Sequence, residues 1–170
     1  AVTVTLSTGQ TIAIAAGATT GTVTIAAPSD DVYIDASTVS RTISTATGGN
    51  FEALTINPAA ANTTVSDDSD ATTVTLTATP SVVEGGTITY TATLTSAAQT
   101  AITVTLSTGQ TIAIAAGASS GTVDIAAPTD DVYIDASTVS RTISSATGGN
   151  FESLTIDPAA ANTTVTDDSD

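Results

Sequence analysis

A period of 100 residues constrains this chain more than any other feature. With Ala1 set against Ala101, 61 of 70 positions are identical, and most of the nine differences are Ser/Thr exchanges. A period of that length makes the chain an array of modules rather than one fold of 170 residues. Residues 71–170 form one complete copy, and residues 1–70 correspond to the last 70 residues of the copy before it. Asp67-Asp68-Ser69-Asp70 closes the first, as Asp167-Asp168-Ser169-Asp170 closes the second.

A copy of 100 residues can bury one core, and here it must do so without staples, since Cys is absent. The alternation in the complete copy is that of half-buried strands. Val74, Leu76 and Ala78 share one face of residues 72–79, and Ile88, Tyr90, Ala92 and Leu94 one face of residues 86–95, with Thr on the other. Between them Pro80, Glu84 and Gly85-Gly86 suit a turn or bulge. Ile102 to Leu106 and Ile112 to Ile114 read as a hairpin about Thr108-Gly109, and Val123 and Ile125 mark a fifth strand. From Val132 to Ile143 the apolar phase slips by one residue, which requires a bulge or bend near Asp135 to Thr138. Gly148-Gly149-Asn150 then turns the chain into Phe151–Ile156, and a last strand at 161–165 enters the acidic tetrad. No window is an amphipathic helix, so the fold class is all-β, a tandem of antiparallel β-sandwiches. Residues 1–70 lack the first two strands of their copy, so that copy is expected to be open on one side. Its missing strands would lie outside the chain or come from a neighbouring molecule.

Lys and His are absent, Arg41 and Arg141 are the basic residues, and the formal net charge is −15. Such a charge repels nucleic acid and anionic lipid headgroups and attracts cations. No apolar run is long enough to span a bilayer. Without His, Lys or Cys there is no usual base for a Ser or Thr nucleophile, and three Tyr, two Phe and no Trp make a poor sugar cleft, so no enzymatic activity and no small-molecule substrate are expected.

The acids are grouped. With strands running alternately up and down from Ala71, Glu84, Asp130, Asp131, Asp135, Asp167, Asp168 and Asp170 reach one end of the sandwich. Glu152 and Asp157 read as ordinary surface acids. Unpaired carboxylates about 4 Å apart repel by roughly 1–4 kcal/mol per pair, and no lysine or histidine offsets this. A hard divalent cation with six to eight oxygen ligands would. The other reading of the tetrads is a solvated linker that keeps the copies soluble.

Val83-Glu84-Gly85-Gly86, Asp130-Asp131-Val132-Tyr133-Ile134-Asp135 and Thr166-Asp167-Asp168-Ser169-Asp170 together resemble the motifs of Calx-beta domains, which are immunoglobulin-like, calcium-binding sandwiches. The resemblance implies calcium at Glu84, Asp130, Asp131, Asp135, Asp167, Asp168 and Asp170. In the partial copy it implies Asp30, Asp31, Asp35, Asp67, Asp68 and Asp70. Asp135 stands where that family has the longer Glu, and Arg141 where it has an apolar residue. The tandem itself, above all residues 75–90 and 127–140, resembles the extender region of giant bacterial biofilm adhesins of the LapA type. That likeness implies type I secretion, the outer cell surface, neighbouring repeats of the same chain as partners, and a spacer role stiffened by calcium. The alternative is a ligand-binding adhesion module that uses its outward Thr rows on a carbohydrate or other surface.

Overall fold

The computed structural model describes residues 1–129, 133 and 136–167. They form strands joined by turns, with no helix among them. The chain divides into two compact units, the first comprising Ala1–Asp30 and Asp35–Asp67, the second Asp31–Ile34 and Asp68–Asp170.

The first unit contains β1 (Val2–Leu6), β2 (Thr11–Ile14), β3 (Ser37–Arg41), β4 (Ile43–Gly48) and β5 (Ala61–Val65). The second contains β6 (Ala71–Ala78), β7 (Ser81–Val83), β8 (Thr87–Leu94), β9 (Ile102–Leu106), β10 (Thr111–Ile114), β11 (Ser120–Ala126), β12 (Ser137–Arg141), β13 (Ile143–Gly148), β14 (Ser153–Ile156) and β15 (Ala161–Thr166).

In the second unit β11-β8-β6-β14 make one layer, and β10-β9-β13 with β12-β15-β7 make the layer facing it. The alternation of β8 is the sequence pattern made physical: Ile88, Tyr90, Ala92 and Leu94 are buried while its threonines face outward. They pack on Val74, Ile102, Val104, Leu106, Ile112, Ile114 and Val165 from the other strands. Each fully buried side chain of this size contributes about 1.5–3 kcal/mol. The sandwich reading holds, with two additions. β14 runs parallel to β6, and β7 runs parallel to β15. The chain reaches β7 by leaving one layer for the other at Pro80, whose carbonyl accepts the Thr164 N–H at 3.0 Å. Residues 81–83, read from sequence as part of a turn, therefore pair as a short strand.

The phase slip has its own explanation in the first copy, where the chain is irregular at Asp35 and Ala36 and β3 starts afresh at Ser37. Asp135 itself lies outside the described residues. A separate bulge lies at Ser144, where the β13–β9 register skips a residue. Its hydroxyl donates to the Thr105 and Leu106 carbonyls at 3.0 and 3.2 Å, and Ser44 repeats this on Thr5 and Leu6.

Tyr90 is fully buried. Burial pushes its phenol above the ordinary value of 10.0, while the Arg141 charge and the Thr163 hydroxyl pull the other way. The folded state thus holds this proton more tightly than the unfolded chain does. The stability it contributes is intact below the unfolded value and is lost as pH rises through the folded one. Denaturant melts between about pH 9 and 12 should show an alkaline loss of stability that Tyr90→Phe flattens.

The first unit has the same local features and a different interior. It forms two sheets, β2-β1-β4 and β3-β5. Val4 is its one buried apolar residue. Residues 20–26 and 53–56, which match β11 and β14 almost letter for letter, are not strands. In the second unit those strands pair with β8 and β6, and residues 1–70 contain no counterpart of either.

Candidate metal centre

In the second unit three backbone bonds bring separate segments together. The Glu84 N–H donates to the Thr166 carbonyl at 3.0 Å, Gly85 to Pro128 at 2.7 Å, and Ala127 to Gly86 at 2.9 Å. Gly85 permits this approach with φ of 67°, a left-handed conformation that side chains with a Cβ rarely take. The turn bearing Glu84, the stretch just ahead of Asp130 and the end of β15 just ahead of Asp167 therefore meet. Glu84 is buried at 6% exposure and Asp167 is half-buried. A carboxylate so far removed from water requires polar company. Asp130, Asp131, Asp135, Asp168 and Asp170 lie outside the described residues.

The first unit shows the corresponding end in more detail. Asp67 follows β5 and its Oδ2 accepts the Asp35 N–H at 3.2 Å. Carboxylate oxygens of Asp30 and Asp67 lie within 4.8 Å of each other. A cleft of about 180 Å³ is lined here by Ser29, Asp30, Asp35, Ser37, Ser66 and Asp67. Three carboxylates and three hydroxyls are an all-oxygen donor set, the kind that hard cations such as calcium take. Arg41 is not among the residues lining this cleft, and its guanidinium donates to the Ser40 carbonyl at 2.9 Å. At the observed spacing, two ionised carboxylates repel by roughly 1–3 kcal/mol.

Asp31 makes a local contact. Its Oδ1 accepts the Tyr33 N–H at 2.8 Å in a local turn, and Asp31–Ile34 belong to the second unit. There Tyr33 stacks on Phe151 with ring centroids 5.5 Å apart, and its hydroxyl donates to the Ala97 carbonyl. Ile34 N–H donates to Asn150 and Glu152 N–H to Val32. Tyr33 is thus a packing residue, whereas Tyr133 is 72% exposed.

Asp68 and Asp70, in the second unit, also bring carboxylate oxygens within 4.8 Å of each other. Glu152 joins this end: it is half-buried and its Oε2 accepts the Asp70 N–H at 2.5 Å. The sequence reading placed Glu152 among ordinary surface acids. A lone Glu carries no motif, and its one signal was its place straight after the Gly148-Gly149-Asn150 turn and Phe151.

The model of one protein family, described as the LapA domain, matches residues 1–68 and 70–168, so that the two matched segments meet at the first acidic tetrad. No curated protein and no solved structure matches the chain.

Proposed function

The chain belongs to the LapA domain family, and from that premise we propose that it is an extender module of a bacterial cell-surface adhesin, stiffened by calcium. Family and fold together support the reading of a non-catalytic part of a surface protein. Among the described residues no helix is long and apolar enough to cross a membrane. The finer parts of the proposal are export by type I secretion, a place outside the cell in a biofilm adhesin, and neighbouring repeats as the partners.

One observation carries the reading: separate acidic segments are gathered at one end of a copy, in copies that are nearly identical. Near-identity suits a part whose number and length matter, since a recognition site would be expected to differ from its neighbours. Strands of eight residues such as β6 and β8 span about 27 Å each, so reach grows with copy number. Asp30, Asp35 and Asp67 would hold the ion in the first unit, with Glu84, Asp167 and the acids beside them in the complete copy. Bound calcium would supply the positive charge that neither lysine nor histidine provides, and the carboxylate oxygens of these residues, with the hydroxyls of the cleft, would be its ligands. The protein's own part is to hold Asp67, which follows β5, against the Asp35 amide.

The ligand-binding alternative draws less support from the outward Thr rows. The Thr73 and Thr155 hydroxyls bond each other at 2.9 Å, and Thr75 donates to the Thr93 carbonyl at 3.3 Å, so the row is occupied with its own sheet.

Small-angle scattering on an array of several complete copies tests the extender. In millimolar calcium the maximum dimension should exceed that in chelator and scale with copy number. A dimension indifferent to calcium would return the tetrads to solvated linkers.

A further inference from the structure

Residues 97–100 and 149–152 form a corner of the second unit that is closed by its own bonds. The Gln99 N–H donates to the Gly149 carbonyl at 3.1 Å, the Gly149 N–H to the Thr100 hydroxyl at 3.0 Å, and the Asn150 side-chain amide to Gln99 Oε1 at 2.7 Å. Gly149 and Asn150 hold the turn at φ of 90° and 59°. A corner fixed in this way loses little freedom when a further segment is laid on it.

Asp31–Ile34 is that segment. The Ile34 N–H donates to the Asn150 carbonyl at 3.3 Å and the Glu152 N–H to the Val32 carbonyl at 3.1 Å, so that Tyr33 stands opposite Phe151 in an antiparallel bridge. The two rings stack at 5.5 Å with 21° between their planes, and the Tyr33 hydroxyl donates to the Ala97 carbonyl. Val32 and Tyr33 pack against the core, whereas the Ile34 side chain is 58% exposed. Asp31 Oδ1 accepts the Tyr33 N–H at 2.8 Å, a bond within the segment that sets its bend without help from the corner. Main-chain pairing at an edge with one aromatic anchor is the way a protein recognises a short extended peptide.

We propose that this corner is a recognition site for the segment Asp-Val-Tyr-Ile, and that its partner is the copy that precedes it in the same chain. Asp31–Ile34 belongs by sequence to the copy that closes at Asp70 and by packing to the second unit. Residues 71–170 carry both halves of the device, the corner and the same four letters at 131–134. The inference rests on one part of the reading above, neighbouring repeats as partners, and names the contact by which a neighbour is recognised. It requires no calcium.

The test is amide hydrogen exchange on the full 170-residue chain in chelator, so that its outcome is independent of the calcium reading. Tyr33→Ala should speed exchange of the Glu152 amide by about thirtyfold and leave the amides of β8 unchanged, because it frees the segment and not the core. Tyr33→Phe keeps the ring and removes one hydrogen bond, so it should speed the same amide by roughly two- to tenfold. A tethered segment has an effective concentration of about 1 mM, so thirtyfold closure corresponds to a Kd of about 0.03 mM for the free segment. A synthetic peptide of residues 29–36, added at about 1 mM to the Tyr33→Ala chain, should therefore restore protection at Glu152. The same peptide carrying Tyr33→Ala should not. Exchange at Glu152 that Tyr33→Ala leaves unchanged would overturn the proposal. So would exchange that rises equally in β8, since Tyr33 would then be part of the core rather than of a separable segment. A peptide that restores nothing would overturn it as well.

Discussion

Calcium is expected to raise the unfolding temperature of a chain of complete copies by roughly 10–20 °C over the same chain in chelator. The size follows from linkage. A ligand that binds the folded state alone, at a hundred times its Kd, stabilises by about 2.7 kcal/mol. Extracellular modules bind calcium with Kd of about 10⁻⁴ to 10⁻³ M, so concentrations of about 10 mM and above reach that range. A domain of 60–100 residues gains about 4–8 °C per kcal/mol. Asp167→Asn gives the diagnostic sign. It should shrink the calcium increment and leave the chain in chelator equally or more stable, because one charge of a repelling group is removed. A merely structural Asp167 would lower both curves together. Magnesium at the same concentration should do less, since it prefers six ligands in tight octahedral geometry and gives up its water reluctantly. Scans that coincide in calcium and in chelator would sink the metal reading and leave a passive spacer.

Phe151→Ala is expected to lower the stability of the second unit by about 3–5 kcal/mol, and Phe51→Ala to change that of the first by less than about 0.5 kcal/mol. Both residues follow the same Gly-Gly-Asn turn and precede Glu. Phe151 is 7% exposed and stacks on Tyr33, with Gly149 so close that a Cβ there would meet its ring at 2.5 Å. Truncating it leaves a cavity in a layer that cannot collapse around it. Phe51 is 61% exposed, and its removal takes little apolar surface back out of a core. Hydrogen exchange after each substitution assigns the loss to a unit. Equal costs at the two positions would show that both rings are packed alike and would contradict the open interior of the first unit.

The two copies amount to one sequence folded in two surroundings, which separates what is local from what is not. The hairpin turn is the same in both: Gly9 and Gly109 take φ of 90° and 91°, and their amides donate to Leu6 and Leu106 at 2.9 Å. The turn into Phe51 and Phe151 is the same too, with Asn50 and Asn150 at φ of 55° and 59° after two left-handed glycines. The paired strands β1, β2 and β4 match β9, β10 and β13, down to the bulge that each Ser hydroxyl fills. Of the acids expected at one end, the structure describes Asp30, Asp35 and Asp67 along one cleft of the first unit, while Asp130, Asp131, Asp135, Asp168 and Asp170 lie outside the described residues.

Other features left no trace in the letters. The parallel pairing of β7 and β14 depends on which layer the chain joins after Pro80 and after Phe151. Tyr33 packs in the second unit while Tyr133, with the same neighbours in sequence, is exposed.

The sequence by itself determined the period, the strand alternation and the turns, since each is closed by bonds or preferences within a few residues. Only the tertiary structure decided whether Ser120–Ala126 and Ser153–Ile156 are strands, because a strand's amides and carbonyls are satisfied by a partner far away in the chain. Where β6 and β8 supply that partner the segments pair and the core closes over Tyr90, and where residues 20–26 and 53–56 lack it the same letters form no strand.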